Sequence, residues 1–525
     1  MKARTKLLAI LTCIITFSYI NINAQPKIIK NLKKPRIKIT PNIPSPKPLP
    51  KIPIPHRPIP LVKDSTSIFE KNKNSINLIQ KRSNSLRKQL ETYQKTLNVL
   101  IEKNKRRFIN YVKINSQSTR MTNKNIFPMT QGQIKMAKYL EYELREICKG
   151  SDVIITRSKD QYVYVKIPSN IKEKNIPSLM FIAHLDVTPE GPTQNVTPIV
   201  HKKYKGGNIT LSKGKVLSPH TPQGSHLKNC IGKTIITSDG STFLGADDKA
   251  GVTILVGLIE TLAHNKSIKH GNVYIVFSQN EKIGRAADRF ESKYVDGCPN
   301  IVINVDGNMP NKFSVKDFTV SMITYHFYGH YVNPSKDFAN KYGDVLTAAS
   351  YFIGQIDSAQ HSSASKDKQR YIHYSSLPCP KDSTNKKNSE NYLITVNLHY
   401  FDKYEGDTLR QILKNAEKLT AAAYPFVKIV AEPGGFQHEN IAYTMHPNVT
   451  DLIIKSAKRI GMTMKPCNNQ GDSTTMSSTK ELQGNLCIYS AQQATHSVYE
   501  WVCVEDMIQM ISFTINIVKN VATIK

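Results

Sequence analysis

At 525 residues the chain is too long for one compact core, and its 39% hydrophobic and 21% charged residues are typical of a globular protein with two or three domains. The formal net charge of +32 permits an acidic partner such as nucleic acid, anionic lipid or cell-wall polymer. Residues 1–107 alone carry 24 Lys and Arg against 4 Asp and Glu, so the excess belongs to the N-terminal fifth, and no nucleic-acid partner is expected.

The N-terminus has the layout of a secretory signal. Three basic residues precede a mostly apolar run over residues 7–20, and a small residue, Ala24, stands before Gln25. We therefore predict a signal peptide over residues 1–24 and an exported protein, in the periplasm or at the cell surface. A retained N-terminal membrane anchor is the alternative, although the run is shorter than the roughly 20 residues that a membrane span needs.

Two further segments precede the main domain. Residues 25–63 form a basic, Pro-rich linker, and proline, which fixes φ and lacks a backbone N–H, predicts an extended polyproline-II spacer there. This basic stalk predicts association with a membrane or the cell wall. Residues 64–107 predict a helical arm, since their apolar residues recur at spacings of three and four.

From residue 108 onward, apolar strand-like runs alternate with amphipathic helices. This alternation predicts an α/β fold with a mostly parallel sheet, over residues 108–317 and 432–525. The intervening residues 318–431 follow the order strand, helix, polar loop, strand, helix. They predict a smaller α+β domain inserted in the larger one.

Acidic and imidazole side chains follow several predicted strands. His184 and Asp186 come after an apolar run, and positions i and i+2 of a strand share a face, so the carboxylate can orient the imidazole. Asp247 lies at a Gly-flanked strand-to-helix turn, where a helix N-cap is the alternative role. The carboxyl ends of the strands line the ligand crevice of open α/β sheets. Five residues are thus candidates for one site that suits zinc: His184, Asp247, Glu281, Asp306 and His496.

The motifs HLDVTPEG, GADDKAG, FSQNEKIG, VDGN and a terminal His-x-x-x-Glu resemble, in this order and spacing, those of peptidase T. Peptidase T is the tripeptide aminopeptidase family of the di-zinc exopeptidase clan. The resemblance covers about residues 108–525. It implies a zinc-exopeptidase-like catalytic domain with an inserted lid, which would also form a homodimer interface. It further implies that a zinc-activated water removes N-terminal residues from short peptides.

The resemblance also implies a role for each candidate. His184 would bind the first zinc and Asp186 would orient it. Asp247 would bridge two metals, with Asp306 completing the first site and His496 serving the second. Glu281 would be the general base that takes a proton from the water.

Lys282 departs from the family pattern, because it stands where the family has a second glutamate that ligates the second zinc. A protonated lysine offers only donors and cannot ligate a cation. We predict that its ammonium replaces the charge of the second metal and that Nζ lies within salt-bridge reach of Asp247. The site would then hold one zinc ion rather than two.

Two other positions depart from the family. Asn333 replaces a histidine that helps to stabilise the oxyanion, and Asn468 replaces an arginine expected to hold the C-terminal carboxylate of the peptide. These changes leave turnover open. The alternative hypothesis is a catalytically inactive pseudo-peptidase that binds peptides or wall fragments.

Overall fold

The structure is a computed structural model. It describes residues 65–119, 127–128, 130–172, 175–297, 299–316, 318–329, 344–363, 370–377, 391–438, 440–468, 482 and 485–524. The predicted signal peptide (1–24) and Pro-rich linker (25–63) lie outside the described residues. The described part divides into two compact units, with the boundary between Lys103 and Asn104.

The described helices are numbered here in chain order. They are α1 (Ser65–Val112), α2 (Gln131–Ile147), α3 (Ala246–His264), α4 (Val345–Ser363), α5 (Lys403–Ala423), α6 (Val449–Lys458) and α7 (Val504–Val521). Helix α1 runs through the predicted helical arm and continues past residue 107. Within the described part of the chain, no helix combines the length and the apolar character that a membrane crossing needs.

The strands begin with the first half of the main domain. They are β1 (Ile154–Arg157), β2 (Val163–Ile167), β3 (Leu179–His184), β4 (Ile199–His201), β5 (Ile209–Thr210), β6 (Val216–Leu217), β7 (Ile235–Thr237), β8 (Val273–Ser278), β9 (Ile301–Gly307) and β10 (Lys312–Lys316). The later strands are β11 (Thr319–Tyr328), β12 (Tyr371–Leu377), β13 (Asn391–Tyr400), β14 (Lys428–His438), β15 (Lys465–Asn468), β16 (Leu486–Tyr489), β17 (Gln492–Gln493) and β18 (Trp501–Cys503).

An eight-stranded sheet, ordered β1-β2-β8-β3-β9-β16-β10-β15, forms the centre of the main domain. Its four middle strands, β8, β3, β9 and β16, are mutually parallel, so their carboxyl ends meet at one edge. Strands β3, β8 and β9 are continuous apolar runs that are buried on both faces, as expected for parallel strands covered by helices. The prediction of a mostly parallel α/β sheet is confirmed.

Helix α3 is the buried helix that places one of the candidate acids. It packs on β3 and β9 on one side and on α7 on the other. Gly251 lets its first turn approach β9, because a Cβ on Gly251 would lie 2.1 Å from the carbonyl oxygen of Val305. The GADDKAG turn is therefore held directly against the strand that carries Asp306.

The inserted segment forms a second, antiparallel sheet in the order β12-β13-β11-β14, covered by α4 and α5. The sequence analysis expected a polar loop between α4 and β13, and this was wrong for residues 371–377, which form β12. The strand is fixed by pairing with β13, and Ile372 is buried in the domain core opposite Leu398. Strand β14 runs to His438 and crosses the predicted boundary at residue 431.

A small antiparallel sheet, β17-β18-β7-β4, lies in the same unit as the large one. It carries two segments that the site requires. The strand β7 leads into the GADDKAG turn, and the loop between β17 and β18 contains His496. The site therefore combines the carboxyl ends of the large sheet with two connections of this small sheet.

Candidate active site

Three of the predicted ligands converge. His184 ends β3, Asp247 lies in the first turn of α3, and Asp306 lies near the end of β9. One donor atom from each lies within 4.8 Å of the other two, and all three residues are buried. His184 Nε2 is 3.0 Å from Asp247 Oδ1 and 3.7 Å from Asp306 Oδ2.

The chemistry of this trio fits a divalent cation. One imidazole nitrogen and two carboxylates form a set that binds zinc in catalytic sites, with a coordination position left for water or substrate. Asp306 Oδ1 accepts a hydrogen bond from Gln492 Nε2 (3.0 Å), whereas the buried Oδ2 accepts none from any residue that the structure describes. A buried carboxylate oxygen without a donor is costly unless a cation satisfies it.

The carboxylate of Asp247 has two sides. Its Oδ1 faces His184, whereas its Oδ2 receives both His496 Nε2 and Lys282 Nζ, each at 2.9 Å. The predicted salt bridge between Lys282 and Asp247 is therefore confirmed. The ammonium occupies the side of Asp247 that faces His496, which is the side the resemblance assigns to a second metal.

The ammonium group of Lys282 is surrounded by carboxylates. Its Nζ is also 3.1 Å from Glu281 Oε2, and its side chain is only 10% exposed. Burial alone lowers the pKa of Lys282, but the charges of Asp247, Glu281 and Asp306 outweigh burial and raise this pKa well above its usual value. The group is therefore a permanent cation at neutral pH.

The loop that carries Glu281 and Lys282 is fixed by Asp186. The Asp186 carboxylate accepts hydrogen bonds from the backbone N–H groups of Glu281 (2.9 Å) and Lys282 (3.0 Å). A short 3-10 helix, Glu281–Ile283, follows Asn280, whose φ of +57° lies in the left-handed region. Glu281 Oε2 thereby reaches to 3.5 Å from His184 Nε2.

The orientation of His184 differs in detail from the sequence-based expectation. Its Nδ1 lies 2.9 Å from the main-chain oxygen of Asp186 and 3.5 Å from the carboxylate of that residue. The carboxylate points instead to the two loop amides, because those N–H groups are otherwise unsatisfied in the tight turn. Asp186 still turns Nε2 toward the acids, but mainly through its backbone.

His496 completes the cluster from the β17–β18 loop. Its Nδ1 contacts Glu190 Oε2 at 3.1 Å, and the side chain is 39% exposed. The hydrogen bond to Asp247 raises the pKa of His496, although burial acts in the opposite direction. The structure thus brings together seven of the predicted residues: His184, Asp186, Asp247, Glu281, Lys282, Asp306 and His496.

Only one of the two predicted substrate positions lies in the described part of the chain. Asn333 lies outside the described residues. Asn468 is exposed at the end of β15, the edge strand of the large sheet, and forms no described hydrogen bond with the cluster. Their roles remain predictions.

Glu500 and Asp248 support the site, and the sequence analysis gave them no role. Glu500 accepts hydrogen bonds from the N–H groups of Gly245 (2.7 Å) and Asp247 (3.0 Å), and burial raises its pKa to about 7. Asp248 accepts from the N–H of His184 at 3.3 Å. Asp248 lies in the GADDKAG motif and Glu500 ends the His-x-x-x-Glu motif. Their hydrogen-bond partners are backbone N–H groups, and a pattern of side chains in the sequence does not predict such contacts.

Comparisons with known proteins agree with this geometry. A Peptidase T from Caldanaerobacter subterraneus subsp. tengcongensis is 37% identical over 228 residues, which is 43% of this chain and 54% of that protein. At this level of identity, the chain spans about half the length of the relatives it matches. A longer match, 27% identical over 424 residues, covers 79% of this chain and 97% of Peptidase T from Geobacillus kaustophilus. No family model matches the chain.

Solved structures share the fold. Aminopeptidase PepT from Bacillus cereus matches with a TM-score of 0.58 at 15% identity, over 81% of this chain and 99% of that chain. A dinuclear metal-binding peptidase of the M20 family from Bacillus subtilis gives a TM-score of 0.54 at 11% identity, with the same coverage. The fold is therefore the M20 peptidase fold. In sequence, the chain is peptidase T-like.

Proposed function

We propose that this chain is a metal-dependent aminopeptidase that removes N-terminal residues from short peptides, with one zinc ion at the active site. The observation that carries the proposal is the convergence of His184, Asp247 and Asp306, with Glu281 directly beside them. The names of the matched relatives, Peptidase T and aminopeptidase, support the substrate class.

The trio would hold the ion through one nitrogen and two carboxylates. When bound, the ion supplies Lewis acidity: it polarises the peptide carbonyl and makes a water molecule more acidic. Glu281 takes a proton from the attacking water and passes it to the leaving amine, and general catalysis of this kind contributes about 10²–10⁴-fold. Asp186 keeps Glu281 in place through the loop amides.

The ammonium group of Lys282 then supplies the positive charge that a second metal ion would otherwise supply. This ammonium compensates Asp247 Oδ2 and, by Coulomb repulsion, opposes a second cation between Asp247 and His496. His496, which bonds to the same oxygen, remains available to the substrate on the exposed side of the cluster. A permanently charged donor there can also stabilise negative charge on the tetrahedral centre.

Three further parts of the proposal concern segments beyond this cluster. Asn333 and Asn468 would provide weaker, uncharged contacts for the oxyanion and for the C-terminal carboxylate of the peptide. The inserted domain would form the interface of a homodimer. The N-terminal segment would direct export, with a membrane anchor as the alternative, and its basic stalk would contact the membrane or wall.

The test combines metal counting with tripeptide hydrolysis on purified wild type, His184→Ala and Lys282→Glu. We expect His184→Ala to bind one ion fewer than wild type and to lose activity, because it removes a ligand. We expect Lys282→Glu to bind one ion more than wild type, because it restores a second carboxylate beside Asp247 and His496.

The outcomes separate the hypotheses. Hydrolysis by zinc-loaded wild type supports the enzyme, whereas metal binding and peptide binding without turnover indicate the pseudo-peptidase. If wild type and Lys282→Glu bind equal numbers of ions, the proposed role of Lys282 is wrong. If His184→Ala binds as many ions as wild type, the trio is not the metal site.

A further inference from the structure

A second cluster of metal-ligating side chains lies outside the active site. His226 and Cys230 come from a 3-10 helix, Pro222–Asn229, and from the residue that caps it, and Asp506 lies in the first turn of α7. One donor atom from each lies within 4.8 Å of the other two. The segments are about 280 residues apart in sequence, so the fold itself assembles the cluster.

The donor set has the composition of a zinc site. It combines a thiol sulfur, an imidazole nitrogen and a carboxylate oxygen, which borderline-soft divalent cations such as zinc accept together. The Cys230 thiol donates to the main-chain oxygen of His226 at 3.5 Å, and Cys503 is packed in the same buried cluster. A metal ion binds cysteine in its thiolate form, so binding at this cluster would release the thiol proton of Cys230.

The ring of His226 is oriented by its surroundings. It stacks on the buried Trp501, with centroids 6.0 Å apart at an angle of 22°, and it meets Tyr489 edge-on. The side-chain amide of Asn229 lies 3.3 Å from Nδ1, which leaves Nε2 facing Asp506 Oδ2 at 2.8 Å. Fixed ring orientation through the second nitrogen is the arrangement that metal-ligating histidines require.

Lys233 also contacts Asp506, but its geometry differs from that of Lys282. Its Nζ lies 2.8 Å from Oδ1, the oxygen that faces away from His226, and its side chain is 33% exposed. Solvent therefore screens this charge, and Lys233 does not occupy Oδ2, the oxygen that faces His226 Nε2. In the active site, by contrast, Lys282 shares one oxygen of Asp247 with His496.

We propose that His226 Nε2, Cys230 Sγ and Asp506 Oδ2 bind a divalent cation of the zinc type, distinct from the ion of the active site. Binding releases the protons of Nε2 and of the Cys230 thiol to solvent, and the resulting thiolate and the carboxylate together neutralise the charge of the cation. The ion fastens the segment before β7 to the start of α7. That segment continues through β7 to the GADDKAG turn. Helix α7 follows β18, the strand that comes directly after the His496 loop. The ion therefore stabilises both the turn that carries Asp247 and the loop that carries His496.

Cobalt substitution separates this ion from that of the active site. Thiolate coordination to Co²⁺ gives a near-ultraviolet charge-transfer band, whereas the active-site trio offers only nitrogen and oxygen. We expect the band in reduced wild type titrated with Co²⁺, its loss in Cys230→Ser and its retention in His184→Ala. Cys148→Ser, which removes another buried free thiol, is the matched control and should retain the band.

A second measurement keeps the test valid if Cys230→Ser folds poorly. Asp506→Asn should keep the fold, as checked by near-ultraviolet circular dichroism, and weaken Co²⁺ binding at least about tenfold. The proposal would be overturned if Co²⁺-titrated wild type showed no charge-transfer band, or if the band persisted in Cys230→Ser. So would a disulfide between Cys230 and Cys503 in the protein purified without reductant, seen as a mass lower by two hydrogens.

Discussion

At the residue scale, the site depends on which groups contact each of the two carboxylate oxygens of Asp247. One oxygen faces His184, and the other is shared by His496 and Lys282. Such a carboxylate can bridge two cations, and here one of the two is an ammonium that belongs to the chain. We propose that this single difference in residue type converts a two-metal arrangement into a site for one metal.

The buried charge of Lys282 gives the first prediction. Lys282→Met leaves Asp247 and Glu281 without their cation, and breaking a buried ion pair by removing one partner costs about 3–5 kcal/mol. We expect the free energy of unfolding, measured by urea denaturation in the presence of a chelator, to fall by about this amount. Lys266→Met is the control, because Lys266 pairs with Asp152 while 62% exposed, and such pairs contribute about 0.2–1 kcal/mol. Equal losses in both variants would contradict the account.

Glu281, the proposed general base, gives the second prediction. Glu281→Gln keeps the size of the side chain but removes its capacity to accept a proton. We expect kcat for tripeptide hydrolysis to fall by about 10²–10⁴-fold, with the number of bound ions unchanged. A variant that loses its metal together with its activity would instead make Glu281 a ligand.

Three residues of this site could be predicted from sequence because each one stands at or just after the end of a recognisable apolar strand. His184 ends β3, Asp306 lies near the end of β9, and Glu281 follows β8. Glu500 was missed as a positioning group because it acts on backbone N–H groups. The cluster of His226, Cys230 and Asp506 was missed because its members come from segments with no shared pattern.

At the element scale, the first turn of α3 decides where Asp247 points. Its approach to β9 requires the absence of a side chain at Gly251, since a Cβ there would also lie 2.4 Å from Asp248 Oδ1. Helix α3 is thus positioned by a contact between two backbones, which leaves little room for adjustment.

The third prediction compares two helical glycines. Gly251→Ala would force α3 away from β9, so we expect a loss of about 1–3 kcal/mol in the free energy of unfolding and a lower kcat. Gly354→Ala in α4 is the matched control, because no atom lies within 4 Å of its added Cβ. Alanine there should be neutral or raise stability by up to about 1 kcal/mol. A Gly251→Ala enzyme with wild-type kcat would show that the close approach is not needed.

The alternation of strands and helices was sufficient to predict most elements of the main domain. Strand β12 was missed because its residues include polar types, and its conformation depends on pairing with β13 along its whole length. Such a strand is specified by its neighbour rather than by its own sequence.

At the scale of the whole molecule, pH-dependent stability depends on groups that folding removes from water. Burial lowers the pKa of His270, in the connection before β8, and the nearby Lys266 and Lys269 lower it further. The unfolded chain has the usual value of about 6.5. Between the lowered value and about 6.5, the unfolded state therefore binds a proton that the folded state does not, and stability falls as the pH decreases.

The fourth prediction follows from this sign. Urea unfolding of wild type and His270→Gln at several pH values should show a steeper loss of stability in wild type below about pH 6.5, by up to about 1.4 kcal/mol for each unit by which the pKa is lowered. Identical slopes would mean that His270 titrates alike in both states. Gln keeps a donor for the carbonyl oxygen of Gly271, which the His270 ring contacts through Nδ1.

The most direct test of the central claim is an anomalous difference map from crystals grown with zinc. We predict one peak in the active site, between His184, Asp247 and Asp306, with Lys282 Nζ still bonded to Asp247 Oδ2. Two peaks on either side of Asp247, with the lysine displaced, would contradict the claim that its ammonium takes the place of a second metal.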